Sequence, residues 1–93
     1  MEITEVRIRK VDEGGKLKAF ASITIEGEFV IHDLKIIDGA KGLFVAMPSR
    51  KSKDGEYKDI AHPIVTKTRQ DIQKKVLTEF QQSDNIGNES EKY

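Results

Sequence analysis

Cysteine and tryptophan are absent from this sequence, which has only two prolines and two histidines among its 93 residues. Without cysteine, the chain can form neither a disulfide nor a thiolate metal site. The absence also fits a reducing compartment, so we expect a cytoplasmic protein. A domain of this length buries roughly 60–65% of the surface that its unfolded chain exposes, so its core is thin. Because oligomerisation commonly stabilises such small domains, we expect a homodimer.

Long apolar segments are also missing. No apolar run approaches the roughly 18 residues that a membrane-spanning helix needs. Residues 1–5 are acidic and alternating, whereas a signal peptide begins with a basic region followed by an apolar stretch. We therefore expect no secretory leader and no membrane insertion.

Residues suited to catalysis are scarce. His32 and His62 are candidates for a metal site or a general base, with Asp33 or Asp59 as the orienting carboxylate. The alternative, which we favour, is that each histidine makes one structural hydrogen bond. The chain has no zinc-protease motif, nucleophile elbow or phosphate-binding loop, and its histidines are not spaced as zinc ligands. The sequence therefore predicts no enzyme activity, no catalytic residue, no metal site and no cofactor.

The first half of the chain has the period-2 pattern of β-strands. Strands are predicted at residues 3–11, 17–25, 29–37 and 43–47, with turns at Gly14-Gly15, Gly27 and residues 38–42. The third strand has apolar residues at both odd and even positions, which predicts a central strand covered on both faces. A polar, basic loop is expected at residues 49–55, and residues 57–61 are a candidate short edge strand.

From about Thr66 the period becomes helical. Ile72, Val76 and Phe80 recur every fourth residue, so they form one apolar stripe, and Thr66 or Thr68 is a candidate N-cap. The sequence therefore predicts an α+β domain at residues 1–82: an antiparallel sheet of four to five strands built from hairpins, followed by one C-terminal helix packed on the sheet. Since one helix leaves a sheet face and an edge strand uncovered, we expect a sheet-mediated dimer. Residues 83–93 are predicted to form a polar, acidic and flexible tail.

The net charge of zero is unevenly distributed along the chain. Residues 49–78 contain eight basic and four acidic side chains, whereas residues 79–93 contain one basic and four acidic side chains. A local excess of cations suits phosphate groups, with arginine as a bidentate donor and lysine as a point charge. The basic candidates are Arg50, Lys51 and Lys53 before the helix, and Lys67, Arg69, Lys74 and Lys75 on it. A solvated loop and a solvated helix face remain an equal alternative.

Several ordered segments closely resemble the SpoVG family of bacterial regulators. They are Ile-His-Asp-Leu at residues 31–34, Gly-Leu-Phe-Val-Ala-Met-Pro-Ser at residues 42–49, and residues 54–64, which end in Ala-His-Pro-Ile. Residues 3–9 and 21–24 are similar to the family as well. The resemblance covers about residues 1–80.

The resemblance implies more than the residue patterns do. Family members are described as dimers joined through their sheets that bind DNA site-specifically, and some also bind RNA. They are associated with septation, sporulation and wider gene regulation. The helix after the His-Pro-Ile segment is implicated in nucleic-acid contact, which maps onto Thr66, Lys67, Thr68, Arg69, Lys74 and Lys75.

Two hypotheses follow. The first is a regulator that binds DNA and RNA through the helix and the basic loop, with polar residues such as Thr68 and Gln70 reading bases. The second is a non-catalytic protein-interaction module of the division or sporulation machinery, which binds through an edge strand or the uncovered sheet face. The basic residues separate the two hypotheses, because a single patch favours nucleic acid and a scattered arrangement favours a protein partner.

Overall fold

The computed structural model describes residues 1–11 and 14–82, and these form an α+β fold. The strands are β1 (Ile3–Lys10), β2 (Leu17–Ile25), β3 (Phe29–Gly39), β4 (Gly42–Ala46), β5 (Ser49–Lys51) and β6 (Tyr57–Asp59), and the helix is α1 (Thr66–Gln82). The first four strands pair in the order β1-β2-β3-β4, all antiparallel, and β5 pairs with β6 in a separate two-stranded sheet. The predicted fold class is confirmed, while the flexible tail predicted at residues 83–93 lies outside the described residues.

The core lies between α1 and one face of the four-stranded sheet. Alternation along β2 places Ala19, Ala21 and Ile23 on that face, where they are at most 3% exposed. The helix contributes Ile72 and Val76, which pack in the same cluster as Leu34 and Ile36 of β3. Each fully buried aliphatic side chain stabilises the fold by about 1.5–3 kcal/mol relative to an exposed one. The apolar stripe predicted from the sequence is therefore the contact between helix and sheet.

The third strand is central, as predicted, but no described helix covers its second face. Part of the mixed parity of its apolar residues has another cause, a β-bulge at His32 and Asp33, whereas Ile37 does lie on the second face. Leu34 pairs with Ala21 and Ile31 pairs with Ile23, so two residues of β3 lie opposite Ser22. Asp33 has a φ of 68°, which lets the strand absorb the extra residue. The bulge shifts the alternation by one position. Ile31 before the bulge and Leu34 and Ile36 after it therefore all reach the core face.

The segment after β4 differs from its predicted form. Residues 49–55 were expected to be a loop and residues 57–61 an edge strand, but Ser49–Lys51 and Tyr57–Asp59 pair with each other. The backbone N–H of Ile60 donates to the carbonyl of Pro48, which fixes the base of this hairpin. The predicted edge strand is therefore half of a separate hairpin, because its partner is the basic segment and not the main sheet.

The helix begins at Thr66, and the Arg69 backbone N–H donates to the carbonyl of Val65 at 3.1 Å. Val65 thus accepts the first helical hydrogen bond and occupies the N-cap position, so the predicted threonine cap is wrong. Thr68 lies within the first turn.

Candidate nucleic-acid interface

The helix has an inner face on the sheet and an outer face toward solvent. Because Ile72 and Val76 are buried, the residues on the opposite side of the helix project outward. Lys67, Gln70 and Lys74 recur at spacings of three and four, so they share that side, and Thr66 is four residues before Gln70. All four side chains are exposed. We call this set, Thr66, Lys67, Gln70 and Lys74, the outer stripe.

Three other predicted site residues on the helix lie away from the outer stripe. Lys75 lies on the β1 side, where its Nζ donates to the carbonyl of Ile3 at 3.1 Å. Arg69 lies on the β4 side, one turn before Gln73, whose Oε1 accepts a hydrogen bond from the backbone of β4. Thr68 is half-buried and lines an apolar groove with Met47 and Ile72, among others. The structure therefore distributes the seven predicted helix residues over four sides of α1: the outer stripe, the β1 side, the β4 side and the inner side.

One acidic residue lies next to the outer stripe. Asp71 Oδ2 is 3.2 Å from Lys67 Nζ, and both side chains remain substantially exposed. An exposed pair of this kind contributes about 0–1 kcal/mol to stability, so Lys67 can exchange this partner for another anion at small cost. The carboxylate nevertheless reduces the positive charge at that end of the stripe.

The remaining predicted residues are on the β5–β6 hairpin. Arg50 and Lys51 are on β5, and Lys53 is in the turn; all three are exposed. The register places Lys58 directly opposite Arg50, and Tyr57 directly opposite Lys51. Since side chains alternate along a strand, Arg50 and Lys58 share one face and Lys51 and Tyr57 share the other. We call Arg50, Lys51, Lys53 and Lys58 the hairpin cations.

The hairpin turn is closed by its own polar groups. The Ser52 backbone N–H donates to the Glu56 carbonyl at 2.7 Å, and the Ser52 hydroxyl donates to the Asp54 carboxylate and to the same carbonyl. The Glu56 N–H also donates to Asp54. These donors hold the pKa of the Asp54 carboxyl below its ordinary value of 3.8, with the Ser52 hydroxyl as the largest cause. The negative charge of Asp54 is therefore engaged within the turn.

Comparison with known proteins supplies a family. The family model named SpoVG matches residues 1–82, which is the whole extent of the described fold. The chain belongs to the SpoVG family. The resemblance inferred from residues 31–34, 42–49 and 54–64 is thereby confirmed.

Among SpoVG relatives, a protein of Clostridium perfringens is 58% identical over 86 residues, covering 92% of this chain and 96% of the relative. One of Agathobacter rectalis is 61% identical over 80 residues, covering 86% of this chain and 92% of the relative. One of Clostridium kluyveri is 58% identical over 85 residues, covering 91% and 88% respectively. Each of these relatives bears the name "Putative septation protein SpoVG".

The two histidines of this SpoVG chain occupy separate positions. The His32 Nδ1 is 3.0 Å from the Ser22 hydroxyl on the second face of the sheet. His62 is exposed, and its Nδ1–H donates to the Pro63 carbonyl at 3.2 Å. Across the described ranges, no group of three or more histidine and acidic residues is arranged to hold a metal ion. In the same ranges, no helix is long and apolar enough to cross a bilayer.

Sequence reasoning missed two residues of the hairpin, Tyr57 and Lys58. Tyr57 is 70% exposed although it is a large aromatic side chain. Neither residue belongs to the predicted basic loop, because that loop was expected to end before them. The signal that finds them is strand pairing: once residues 49–51 are recognised as a strand, its partner brings Tyr57 and Lys58 into register.

Proposed function

We propose that this chain is a regulator of septation that binds nucleic acid, both DNA and RNA. The predicted residues are distributed over several sides of α1 and both faces of the hairpin, and that distribution by itself favours a protein partner. The observation that carries the proposal is narrower: the outer stripe, where two lysines, a glutamine and a threonine are exposed on one side of α1. Lysines at this spacing suit the phosphates of a backbone, and Gln70 carries the donor and acceptor needed to read a base edge.

The hairpin cations support the same proposal. Arg50 and Lys58 are like charges directly opposite each other on one hairpin face, an arrangement that destabilises a strand pair when no anion is present. In the ranges the structure covers, neither cation forms an ion pair with a carboxylate. Both are therefore available to a phosphate group.

The biological context of the proposal comes from the family. The relatives are named for septation, and the resemblance adds sporulation and gene regulation. We extend these roles to this chain as part of the proposal, together with a cytoplasmic location and a homodimer joined through the sheets. The second face of the sheet supports the dimer, because Phe20, Ile37 and Phe44 lie on it and α1 packs on the opposite face.

The test is fluorescence anisotropy with labelled duplex DNA and RNA at about 50 mM and about 200 mM salt. We expect wild-type binding that weakens steeply with salt, because phosphate contacts release counterions. The double variant Lys67→Gln, Lys74→Gln removes both charges of the outer stripe without touching the core. It should weaken binding at both salt concentrations.

A matched control is the double variant Lys16→Gln, Lys18→Gln, which removes the same charge at one residue just before β2 and one within it. Equal weakening by both double variants would contradict a helix-based interface, since net charge alone would then explain binding. Absence of wild-type binding at low salt, with an intact fold by circular dichroism, would refute the proposal.

A protein-interaction module of the division or sporulation machinery is the second candidate. The observation in its favour is the second sheet face, where Phe44 is 41% exposed beside half-buried Ile37. Duplex binding separates the two functions. An outer-stripe variant should weaken duplex binding and leave association with a protein partner unchanged, whereas a Phe44→Ser variant should impair that association.

A further inference from the structure

The hairpin face opposite the paired cations combines an aromatic ring with a lysine. Lys51 and Tyr57 are directly opposite in register, so their side chains are neighbours on one face. Tyr57 is 70% exposed, and every residue of β6 is exposed. The ring is therefore held on a paired backbone with its surface open to solvent.

A ring in this setting suits a particular form of nucleic acid. Aromatic side chains beside cations bind single strands, because an unpaired base has a free π-face on which a ring can stack. In a duplex the base faces are already stacked on each other, so a protruding tyrosine gains little there. Four cations around Tyr57 are placed to contact phosphates. Lys51 shares the hairpin face of Tyr57, and Lys53 lies in the turn. Arg50 and Lys58 lie on the opposite face of the hairpin.

The hairpin is also fixed in shape before any ligand binds. The turn is closed by Ser52, Asp54 and Glu56, and the base by the Ile60 to Pro48 hydrogen bond at 2.7 Å. Asp54 is engaged in this turn, so its charge is directed to the Ser52 hydroxyl and the Glu56 N–H and not to the cations. A pre-ordered site loses less conformational entropy on binding.

We propose that the β5–β6 hairpin is a binding site for unpaired nucleotides, in which Tyr57 stacks on a base and the hairpin cations contact the flanking phosphates. This inference rests on the proposed nucleic-acid function and narrows it. The outer stripe of α1 serves duplex binding, and the hairpin serves single-stranded DNA or RNA.

The experiment compares wild type with Tyr57→Ala and Tyr57→Phe. Labelled single strands of about 12 thymidines or uridines are measured by anisotropy beside a duplex of mixed sequence. We expect Tyr57→Ala to bind the single strands about 5- to 150-fold more weakly, from the range of single-base stacking energies. Tyr57→Phe keeps the ring and should bind like wild type, and duplex affinity should be the same for all three proteins.

A direct readout of stacking is available because the chain has no tryptophan and only two tyrosines. In a Tyr93→Phe background, Tyr57 is the sole tyrosine, and stacking on a base should quench its fluorescence as a single strand is added. Addition of duplex at the same phosphate concentration should leave the fluorescence nearly unchanged.

Several outcomes would overturn the inference. Unchanged single-strand affinity in Tyr57→Ala, or an equal loss in Tyr57→Phe, would show that stacking is not the contact. An equal loss of duplex affinity in Tyr57→Ala would show that the ring does not select single strands over duplex. A change of molar mass in Tyr57→Ala, measured by light scattering, would show that the ring contacts another protein chain. These failures leave wild-type duplex binding intact, whereas failure of the proposed function abolishes wild-type binding of both forms.

Discussion

Gln73 of the helix accepts a hydrogen bond from the backbone N–H of Val45 on edge strand β4, at 3.2 Å. Two residues further on, Lys75 Nζ donates to the carbonyl of Ile3 on the opposite edge strand, β1. A single turn of α1 thus satisfies one backbone group on each edge of the sheet. Exposed edge groups invite pairing with another chain, so these two side chains also reduce that tendency.

Replacement of Gln73 should destabilise the fold. In Gln73→Ala the Val45 N–H loses its partner at a partly buried position, which should lower the free energy of unfolding by about 1–3 kcal/mol. Urea denaturation followed by circular dichroism measures the change. Gln73→Glu keeps an acceptor oxygen and should restore most of the loss.

Gln70→Ala is the matched control for that measurement. Gln70 is on the outer stripe, three residues earlier on the same helix, and is exposed. Its replacement should change the free energy of unfolding by less than about 0.5 kcal/mol. A comparable loss in both variants would mean that helix propensity and not the Val45 contact determines the effect.

Two isoleucines near the start of the helix should respond very differently to the same substitution. Ile72 is 2% exposed and packs in the core, so Ile72→Ala should cost about 2–5 kcal/mol through lost burial and a cavity. Ile64 is 91% exposed, so Ile64→Ala should be nearly neutral. Since the larger loss can unfold so small a domain, Ile72→Val provides a milder step of about 0.5–1.5 kcal/mol. Thermal melts of the three variants would test this order.

The fold class followed from the sequence because two periodicities were clear. Strict alternation in β2 and the four-residue spacing of Ile72, Val76 and Phe80 correspond to buried faces in the structure. The bulge at His32 and Asp33 was not predictable in the same way. An extra residue in a strand looks, in sequence, like a strand that is apolar on both faces, and only the pairing register distinguishes the two.

The candidate site was predictable in composition but not in arrangement. Lysine-rich segments indicated which parts of the chain could contact phosphate, yet they did not reveal that Lys75 is bound to the Ile3 carbonyl or that Thr68 lines an apolar groove. Those facts depend on the angle at which α1 crosses the sheet, which no local pattern encodes. Tyr57 and Lys58 entered the site only through the β5–β6 register.

The two glycines of the β3–β4 turn should differ in their tolerance of a methyl group. Gly42 has a φ of 117°, so Gly42→Ala is strained even though its added Cβ would meet open space, and it should cost about 1–3 kcal/mol. Gly39 has an ordinary backbone, but its added Cβ would lie 2.9 Å from Cε1 of Phe44. The Phe44 ring is 41% exposed and can move aside, so Gly39→Ala should cost less.

Urea denaturation of both glycine variants, with NMR of the Phe44 ring protons, tests this contrast. The ring signals should shift in Gly39→Ala and remain close to wild type in Gly42→Ala. A larger stability loss in Gly39→Ala would show that the ring, and not backbone conformation, limits this turn.

Salt dependence should identify which lysine contacts phosphate. The logarithm of affinity falls as the logarithm of salt concentration rises. If Lys74 makes one phosphate contact, Lys74→Gln should make this slope shallower by about 1. Lys16, which precedes β2, is an exposed lysine outside the outer stripe, so Lys16→Gln should leave the slope unchanged. Titrations of duplex DNA across a salt series give both slopes, and equal slopes for Lys74→Gln and wild type would exclude Lys74 from the interface.

Order in the hairpin turn should depend on pH through Asp54. Its folded-state pKa lies below 3.8 because the Ser52 hydroxyl and the Glu56 N–H stabilise the carboxylate. A lowered pKa means that this contribution is fully present above about pH 4 and is lost as the pH falls through the folded-state value. As the pH is lowered to the folded-state pKa of Asp54, the Glu56 amide should therefore keep its chemical shift and its slow rate of hydrogen exchange. Below that pKa the chemical shift should change and the exchange should become faster.

Asp54→Asn supplies the reference for the pH experiment. The variant keeps an oxygen that can accept from Ser52 and Glu56 but carries no charge, so its turn should be weaker at neutral pH and show no transition due to residue 54. Subtraction of the variant's curve removes every contribution that does not come from residue 54. A wild-type transition centred above about pH 4, or an identical curve for the variant, would mean that the Asp54 carboxylate does not hold the turn.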